Sequence, residues 1–398
     1  MHHLRNRGEI SGAHEQGHRR GPQREDPFYR THARQFPFFV SLVVVALPLL
    51  AVARATPTVE ALLYNPTVDA LVQKYPYNKP AETVSLKPKL SLVGSGFPNG
   101  GFTLDYRIEA AGKTVARGSI DGKVMFGLFE VGAELKEKYP QAEGVAWELA
   151  APGKESIKGY APLSWSRFHG QVKYRDGLWN STSINLVPTG WGAPSVMDVP
   201  VADDGTFDAL VPSRVYMVVR VDGTGYQYNS MERWAWDFDL TRDRKEEFII
   251  GRMELYGMRA FGIKGGGRKL LVLFRPTTLT RLLKFDANQD GVLSDSEKDA
   301  LGPAMKLSPT AIGPELKAEQ VKVWVDGKPL PVLQFNQIPE VSSDGAWQVL
   351  YLLQVIPESS VYTSIRHEVR LEVESQEELR GKRIVDFGEG SVGFDLNR

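Results

Sequence analysis

The sequence predicts an all-β protein, a string of tandem β-sandwiches, and three observations carry that prediction. Short runs of alternating apolar and polar residues recur along the chain, separated by turn residues at the spacing that sandwiches show. Asp-Gly stands at 121–122, 176–177, 204–205, 222–223, 326–327 and 344–345, each beside an apolar or aromatic run. This dipeptide suits tight hairpins because both corners tolerate positive φ. No long helical pattern lies between the runs, as a parallel α/β sheet would require.

Composition bounds the reading further. The chain has 398 residues, 42% of them hydrophobic, with 48 basic and 48 acidic side chains and no cysteine. That length accommodates two or three domains, each with a core of its own. Without cysteine there are no disulfides, thiolate zinc sites, cysteine nucleophiles or haem attached through CxxCH. The balanced charge gives no footprint for nucleic acid. It also hides a skew: residues 1–55 hold eight arginines, no lysine and four acids, a net of +4, which leaves −4 for the remainder. Five of the seven histidines lie before residue 37, and only His169 and His367 fall in the body.

Taken in order, residues 1–55 read as a disordered basic leader followed by a signal peptide or anchor. Pro37–Ala53 is an uncharged apolar run of 17 residues, preceded by arginines and followed by Arg54 and Ala55. A positive flank, a short apolar core and an Ala-x-Ala ending describe a secretory signal, with cleavage expected after Ala55. The competing reading is an uncleaved anchor helix, for which seventeen residues is the lower limit. Either way the exported part is expected outside the cytoplasm, periplasmic or secreted, and in contact with a membrane only when the helix is retained. Residues 56–85 are expected to form two short helices, around Val59–Leu63 and Val68–Lys74, with Thr67 as a cap and Pro76 and Pro80 marking a linker.

The clearest strands are Leu90–Val93, Phe102–Ile108, Lys123–Phe129, Ile184–Pro188, Tyr216–Val221, Lys269–Phe274, Val321–Val325, Gln348–Val355 and Glu368–Val373. In Val321-Lys322-Val323-Trp324-Val325 the valines share one face, as a half-buried strand requires. These strands group into sandwiches over 86–165, 166–275 and 315–398. Within the middle one, Gly170-Gln171-Val172 is followed by Ser183–Pro188, Asp204-Gly205-Thr206-Phe207, Leu210-Val211-Pro212 and Tyr216–Val219. This arrangement resembles the carboxypeptidase regulatory-like, or transthyretin-like, β-sandwich domain, across about 60 residues. Ser213-Arg214-Val215 replaces the glycine usual before the tyrosine. The resemblance implies Ig-like or transthyretin-like sandwiches, a hairpin from Thr206 whose second strand enters the core, and an accessory or binding role.

Residues 276–314 carry the sharpest motif. Asp286-Ala287-Asn288-Gln289-Asp290-Gly291-Val292-Leu293-Ser294-Asp295-Ser296-Glu297 fits the twelve-residue EF-hand loop. Calcium takes six to eight oxygen ligands, and this spacing offers them: side chains of Asp286, Asn288 and Asp290, the Val292 carbonyl, Ser294 directly or through water, and both Glu297 oxygens. Gly291 permits the sharp bend. Thr278–Phe285 reads as the incoming helix, and Ser296–Lys306 as the outgoing one, cut short or kinked by Gly302-Pro303. The bland alternative is a solvated Asp/Asn turn, against which Glu297 and both flanks weigh. No second loop of this form occurs, so a structural clip is expected rather than a paired sensor.

Other constellations are plainer. In Trp234-Ala235-Trp236-Asp237-Phe238-Asp239-Leu240 the paired carboxylates invite a glycosidase reading. Strand alternation instead puts Trp234, Trp236, Phe238 and Leu240 on one buried face, with both aspartates on the other. Trp191, flanked by glycines, is the best single ligand contact of an aromatic group that includes Trp179, Tyr226 and Tyr228; the alternative is a plug at a sandwich end. No catalytic constellation accompanies His169 or His367. The expected function is therefore non-catalytic: a calcium-binding sandwich protein acting in binding, scaffolding or assembly at the cell envelope, on a protein or polysaccharide partner. The alternatives are a carbohydrate-active or other hydrolytic enzyme using carboxylates, or an accessory subunit of a membrane complex anchored by residues 37–53.

Overall fold

The computed structural model describes residues 56–66, 70–72, 82–84, 86–175, 182–190, 195–223, 229–263, 269–291, 293–341, 345–357 and 366–395. The basic leader, the apolar run, Thr67, Trp179, Trp191, Tyr226, Tyr228 and Val292 lie outside these residues. The described chain is built mostly of strands in several sheets.

The first strands are β1 (Thr58–Tyr64), β2 (Ala70–Val72), β3 (Glu82–Val84), β4 (Lys89–Ser95), β5 (Gly100–Ala110), β6 (Lys113–Val124), β7 (Leu128–Glu134), β8 (Gly144–Ala150) and β9 (Ile157–Pro162). A three-stranded sheet of order β1-β4-β7 and a four-stranded sheet of order β6-β5-β8-β9 enclose one apolar core. Strand β5 shows why: Phe102, Leu104, Tyr106 and Ile108 alternate inward while Thr103, Asp105 and Arg107 face solvent. Across the core they meet Leu63, Leu90, Leu92 and Phe129, with Trp147 beside Tyr106 in their own sheet. Four expectations fail here. Ala70–Val72, inside the helix expected over Val68–Lys74, is strand β2, paired with β3. Val59–Leu63 is strand rather than helix, because pairing with β4 from Thr58–Ser95 to Tyr64–Lys89 satisfies its backbone and buries Leu62 and Leu63. Lys123–Phe129 is not one strand: the chain reverses between Met125 and Leu128 to make the β6–β7 hairpin. Asp121-Gly122, expected at a turn, lies inside β6 against Thr103 and Phe102.

The chain continues through β10 (Trp165–Tyr174), β11 (Thr182–Val187), β12 (Met197–Pro200), β13 (Thr206–Pro212), β14 (Arg214–Gly223), β15 (Arg233–Leu240), β16 (Arg244–Ile250), β17 (Met253–Ile263) and β18 (Lys269–Thr278). A short helix α1 (Leu279–Leu282) runs into a 3-10 turn over Leu283–Phe285, and α2 (Asp295–Leu307) follows. The remaining strands are β19 (Val321–Val325), β20 (Lys328–Leu330), β21 (Gln334–Val341), β22 (Trp347–Val355), β23 (Arg366–Leu379) and β24 (Lys382–Asp395).

Eight of these strands form one sheet of order β12-β11-β14-β15-β24-β23-β19-β20. Its two halves join where β15 and β24 run parallel, Trp234 beside Gly390 and Trp236 beside Val392. One face is covered by β13-β10-β16 across a core of Phe168, Phe207, Tyr216, Phe238 and Phe248. The other is covered by β17-β18-β22-β21 across Trp234, Trp236, Leu255, Phe274, Tyr351 and Leu371. The hairpin expected from Thr206 is a corner instead: β13 pairs with β10 and β14 with β11 and β15, so the chain changes sheets at Ser213. The Tyr216 hydroxyl, fully buried, ties that corner by donating to the Pro212 carbonyl at 2.8 Å.

Strand β15 also departs from simple alternation. Trp234 and Trp236 join the core on one side, but Ala235, Phe238 and Leu240 join the other. The switch occurs at Asp237, whose φ of 48° is left-handed. Gly393 makes room for it, since a Cβ there would meet the Asp237 carbonyl at 2.2 Å. Both faces of the strand are consequently buried, so no single hydrophobic face exists.

Candidate metal centre

Thr278 ends β18 and caps α1, its hydroxyl accepting from the Arg281 N–H at 3.4 Å. Leu279, Leu282 and Leu283 recur at helical spacing and pack with Met231 and Leu293 into a small separate core. Leu293 of the loop is thus held from the apolar side. Gln289, at φ 58°, and Gly291, at φ 84°, provide the bend between them. Ser294 then caps α2 in a capping box with Glu297. The outgoing helix is not cut short: it continues past Pro303 to Leu307. Proline removes one backbone bond, but Leu301 still packs on the small core and the turns around it persist.

The first and last loop positions lie inside and the middle ones outside. The Asp286 side chain is fully buried. Its Oδ2 accepts from the Gly291 N–H at 2.9 Å and from Arg380 Nη2 at 2.8 Å, whereas Oδ1 has no hydrogen-bond partner among the described residues. Burial pushes this carboxyl up, but Arg380 and the loop N–H groups outweigh it and hold it below the usual range. Glu297 takes four donors: the Ala287 and Asn288 N–H groups on Oε1, and the Ser294 N–H and hydroxyl on Oε2. Led by the Ser294 hydroxyl, these bonds lower its pKa to about 2. Asn288 and Asp290 are exposed. Among the described residues no three His, Asp or Glu side chains close on a common point.

Arg380 was not legible as part of this site. It sits at the tip of the β23–β24 hairpin, 94 residues from Asp286, and also bonds the Asp286 carbonyl at 3.2 Å. Two further ties hold the helical segment to the same hairpin: Arg281 to Glu377 at 2.9 Å, and the Thr280 hydroxyl to Asp386 at 2.8 Å. Arg252 reaches the same Asp386 oxygen at 3.0 Å.

The remaining candidates separate. Asp239 accepts from the N–H and hydroxyl of Thr241 and lines a cleft of about 490 Å³ with Arg244, Asp326, Arg366 and His367. Asp237 is not among the described lining residues of that cleft and pairs instead with Arg259 at 3.4 Å. His367 is buried, its Nδ1 2.7 Å from Asp326 Oδ2. His169 lines a larger open cleft, about 950 Å³, beside Gln171, Asp208 and Lys245.

Buried ion pairs are a feature that sequence reasoning missed, for no linear motif announces them. Arg233 bonds Glu389 at 3.0–3.1 Å and the Ser391 hydroxyl at 3.1 Å, bridging the parallel β15–β24 seam beneath the Phe248 ring. Arg370 closes on the other Glu389 oxygen at 2.7 Å. Burial pushes Glu389 up against the pull of both arginines. Nearby, Arg220 gathers Glu232 at 3.0 Å and Asp222 at 3.6 Å, and burial raises both carboxyls along with that of Glu254.

Comparison with known proteins adds little. No family model matches the chain, and no curated protein does. Among solved structures, the chain is similar to a DUF3823 family protein from Parabacteroides merdae, at 10% identity over 58% of this chain and 99% of that one, with a TM-score of 0.17. It is also similar to a marsupial T cell receptor, at 8% identity over 83% of this chain and 98% of that one, with a TM-score of 0.13. Superposition at these scores assigns no relationship.

Proposed function

We propose that the protein is a non-catalytic, extracytoplasmic β-sandwich protein in which one calcium ion stiffens the joint between its sheets, and that it works in binding, scaffolding or assembly at the cell envelope. The observation that carries the calcium reading is the buried Asp286 Oδ1, which has no hydrogen-bond partner among the described residues and stands at the first position of a loop whose spacing matches an EF-hand. A buried carboxylate oxygen without a donor is costly, and a hard cation offsets that cost. Asp286, Asn288, Asp290, the Val292 carbonyl, Ser294 and Glu297 would hold the ion, which supplies positive charge and a common coordination centre for both ends of the loop. Export is supported by the arginine-flanked apolar run at Pro37–Ala53. The transthyretin-like reading of residues 166–275 is supported by two sheets packed on one core that holds Tyr216.

The geometry sets the terms of binding. Without the ion, Glu297 is occupied by four donors and Arg380 supplies a cation at Asp286. Calcium must compete with both, and an affinity in the extracellular range of roughly 10⁻⁴ to 10⁻³ M is expected. The test is thermal unfolding with calcium and with a chelator, beside calorimetric titration with calcium. The wild type is expected to melt higher with calcium, and Glu297→Ala to melt lower and lose the response. A wild type indifferent to millimolar calcium refutes the reading.

A further inference from the structure

The β6–β7 hairpin ends in Met125, Phe126, Gly127 and Leu128, closed by reciprocal backbone bonds between Met125 and Leu128 at 2.8 and 3.0 Å. Phe126 has φ 54° and Gly127 φ 78°, the mirror-image turn whose first corner favours Asn, Asp or Gly. A phenylalanine in this left-handed region is strained. Packing does not offset the strain, because Phe126 is 89% exposed, with Met125 at 55% and Leu128 at 58%. Yet the tip is held firmly. The Gly127 N–H donates to Asn99 Oδ1 at 2.9 Å, and its carbonyl accepts from the Phe97 N–H at 3.3 Å. Three apolar side chains are presented to water at a fixed place.

Register says where that place is. Thr58 pairs with Ser95, and Ser95 pairs with Leu128, so the three residues form one row across an end of the β1-β4-β7 sheet. At the strand spacing of about 4.8 Å, Leu128 lies roughly 10 Å from Thr58. Thr58 opens β1, and the uncharged run Pro37–Ala53 stops five residues before it. Five residues span at most about 18 Å. The apolar run is therefore joined to the chain at the sheet end that carries the tip. The opposite end is marked by the β5–β6 turn at Ala111-Gly112 and by exposed Lys113.

We infer that the Met125–Leu128 tip is a membrane-interface contact, its side chains seated among the headgroups and upper acyl chains of the bilayer to which Pro37–Ala53 directs the protein. Three side chains alone give marginal, reversible attachment; beside a tether the contact becomes effectively intramolecular. Lys123 is the one basic residue within the β6–β7 turn and its immediate flanks, so apolar burial drives the contact and zwitterionic lipid suffices. The inference rests on the membrane-directing reading of Pro37–Ala53 and is independent of calcium.

The cysteine-free chain makes the test direct. Leu128→Cys and, as the far-end control, Lys113→Cys in the full-length protein are labelled with an environment-sensitive fluorophore and mixed with phosphatidylcholine vesicles, with and without phosphatidylglycerol. The probe at 128 is expected to shift to the blue and to be quenched severalfold by spin-labelled lipid in both vesicles; the probe at 113 is expected to stay in water. Phe126→Asn, which suits the turn, should raise the melting temperature while abolishing the shift at 128. Sequencing the amino terminus reports separately on the leader. A start at Thr56 removes the tether, and a shift at 128 is still required. The inference is overturned if the probe at 128 stays aqueous, if both probes respond alike, if Phe126→Asn leaves the shift intact, or if the shift needs an added protein rather than lipid.

Discussion

The two ends of the chain solve the same problem with different interiors. The sandwich of β1–β9 encloses a core in which Ser91 is the one buried polar residue among those described before Trp165. The eight-stranded sheet and its two covers bury Arg233, Glu232, His367, Glu377, Asp386 and Glu389. Apolar packing is tolerant of exchange as long as volume is kept. Buried charge pairs are intolerant of losing one member, since the other is left without compensation. The first interior is fixed by volume, and the second by partnership across the β15–β24 seam.

Substitutions can break that contrast in order of severity. Arg233→Ala leaves Glu389 Oε1 and the Ser391 hydroxyl without that partner, with Arg370 alone on Oε2, and is expected to cost about 3–5 kcal/mol in urea unfolding; Arg233→Met with Glu389→Leu should recover most of the loss. Should the double variant be as unstable as the single, partnership is not what matters at the seam. Leu104→Ala in the apolar sandwich is expected to cost about 2–5 kcal/mol through its cavity, with Leu104→Met below about 1.5 kcal/mol. A large cost for that methionine would show the first interior to be as exacting as the second.

The pH profile sharpens the comparison. Burial raises Asp222 to about 6, so the folded state binds this proton more tightly than the unfolded chain. Its stabilising contribution is complete below the unfolded carboxylate range, near 4, and is lost as pH rises through about 6. Melting temperature should fall over that window, and Asp222→Asn should flatten the fall. A wild type and variant with parallel profiles would remove the effect from this group. Smallest of all, the half-exposed pair Lys173–Glu247 is expected to contribute below about 1 kcal/mol, measured as Lys173→Ala. A larger value would extend partnership to the surface.

How much was legible follows from the same physics. Strands with one buried face, such as Val321–Val325 and Phe102–Ile108, declared themselves by period. Asp326-Gly327 announced its turn correctly, with φ of 49° and 77°. Val59, Leu62 and Leu63 fit a helical spacing as well as a strand, and only the pairing with β4 decides between them. Phe126-Gly127, Ala111-Gly112 and Arg380-Gly381 adopt the same turn as Asp326-Gly327, yet their first residues carry no turn signal. The loop Asp286–Glu297 was legible as a motif because its residues are contiguous. Its contact with Arg380 was not, because that residue arrives from a distant hairpin.

The seam has a consequence for synthesis. Strand β15 is complete by Leu240, but the neighbour that pairs with one of its edges is β24, supplied more than 140 residues later. Until then the chain holds an unsatisfied row of N–H and C=O groups beside two tryptophans, the kind of edge that recruits foreign strands. Among the described residues no strand of β1–β9 pairs with a later one, although Tyr64 packs into the later core. A nascent chain halted before β24 would therefore carry a paired first half and an adhesive second half.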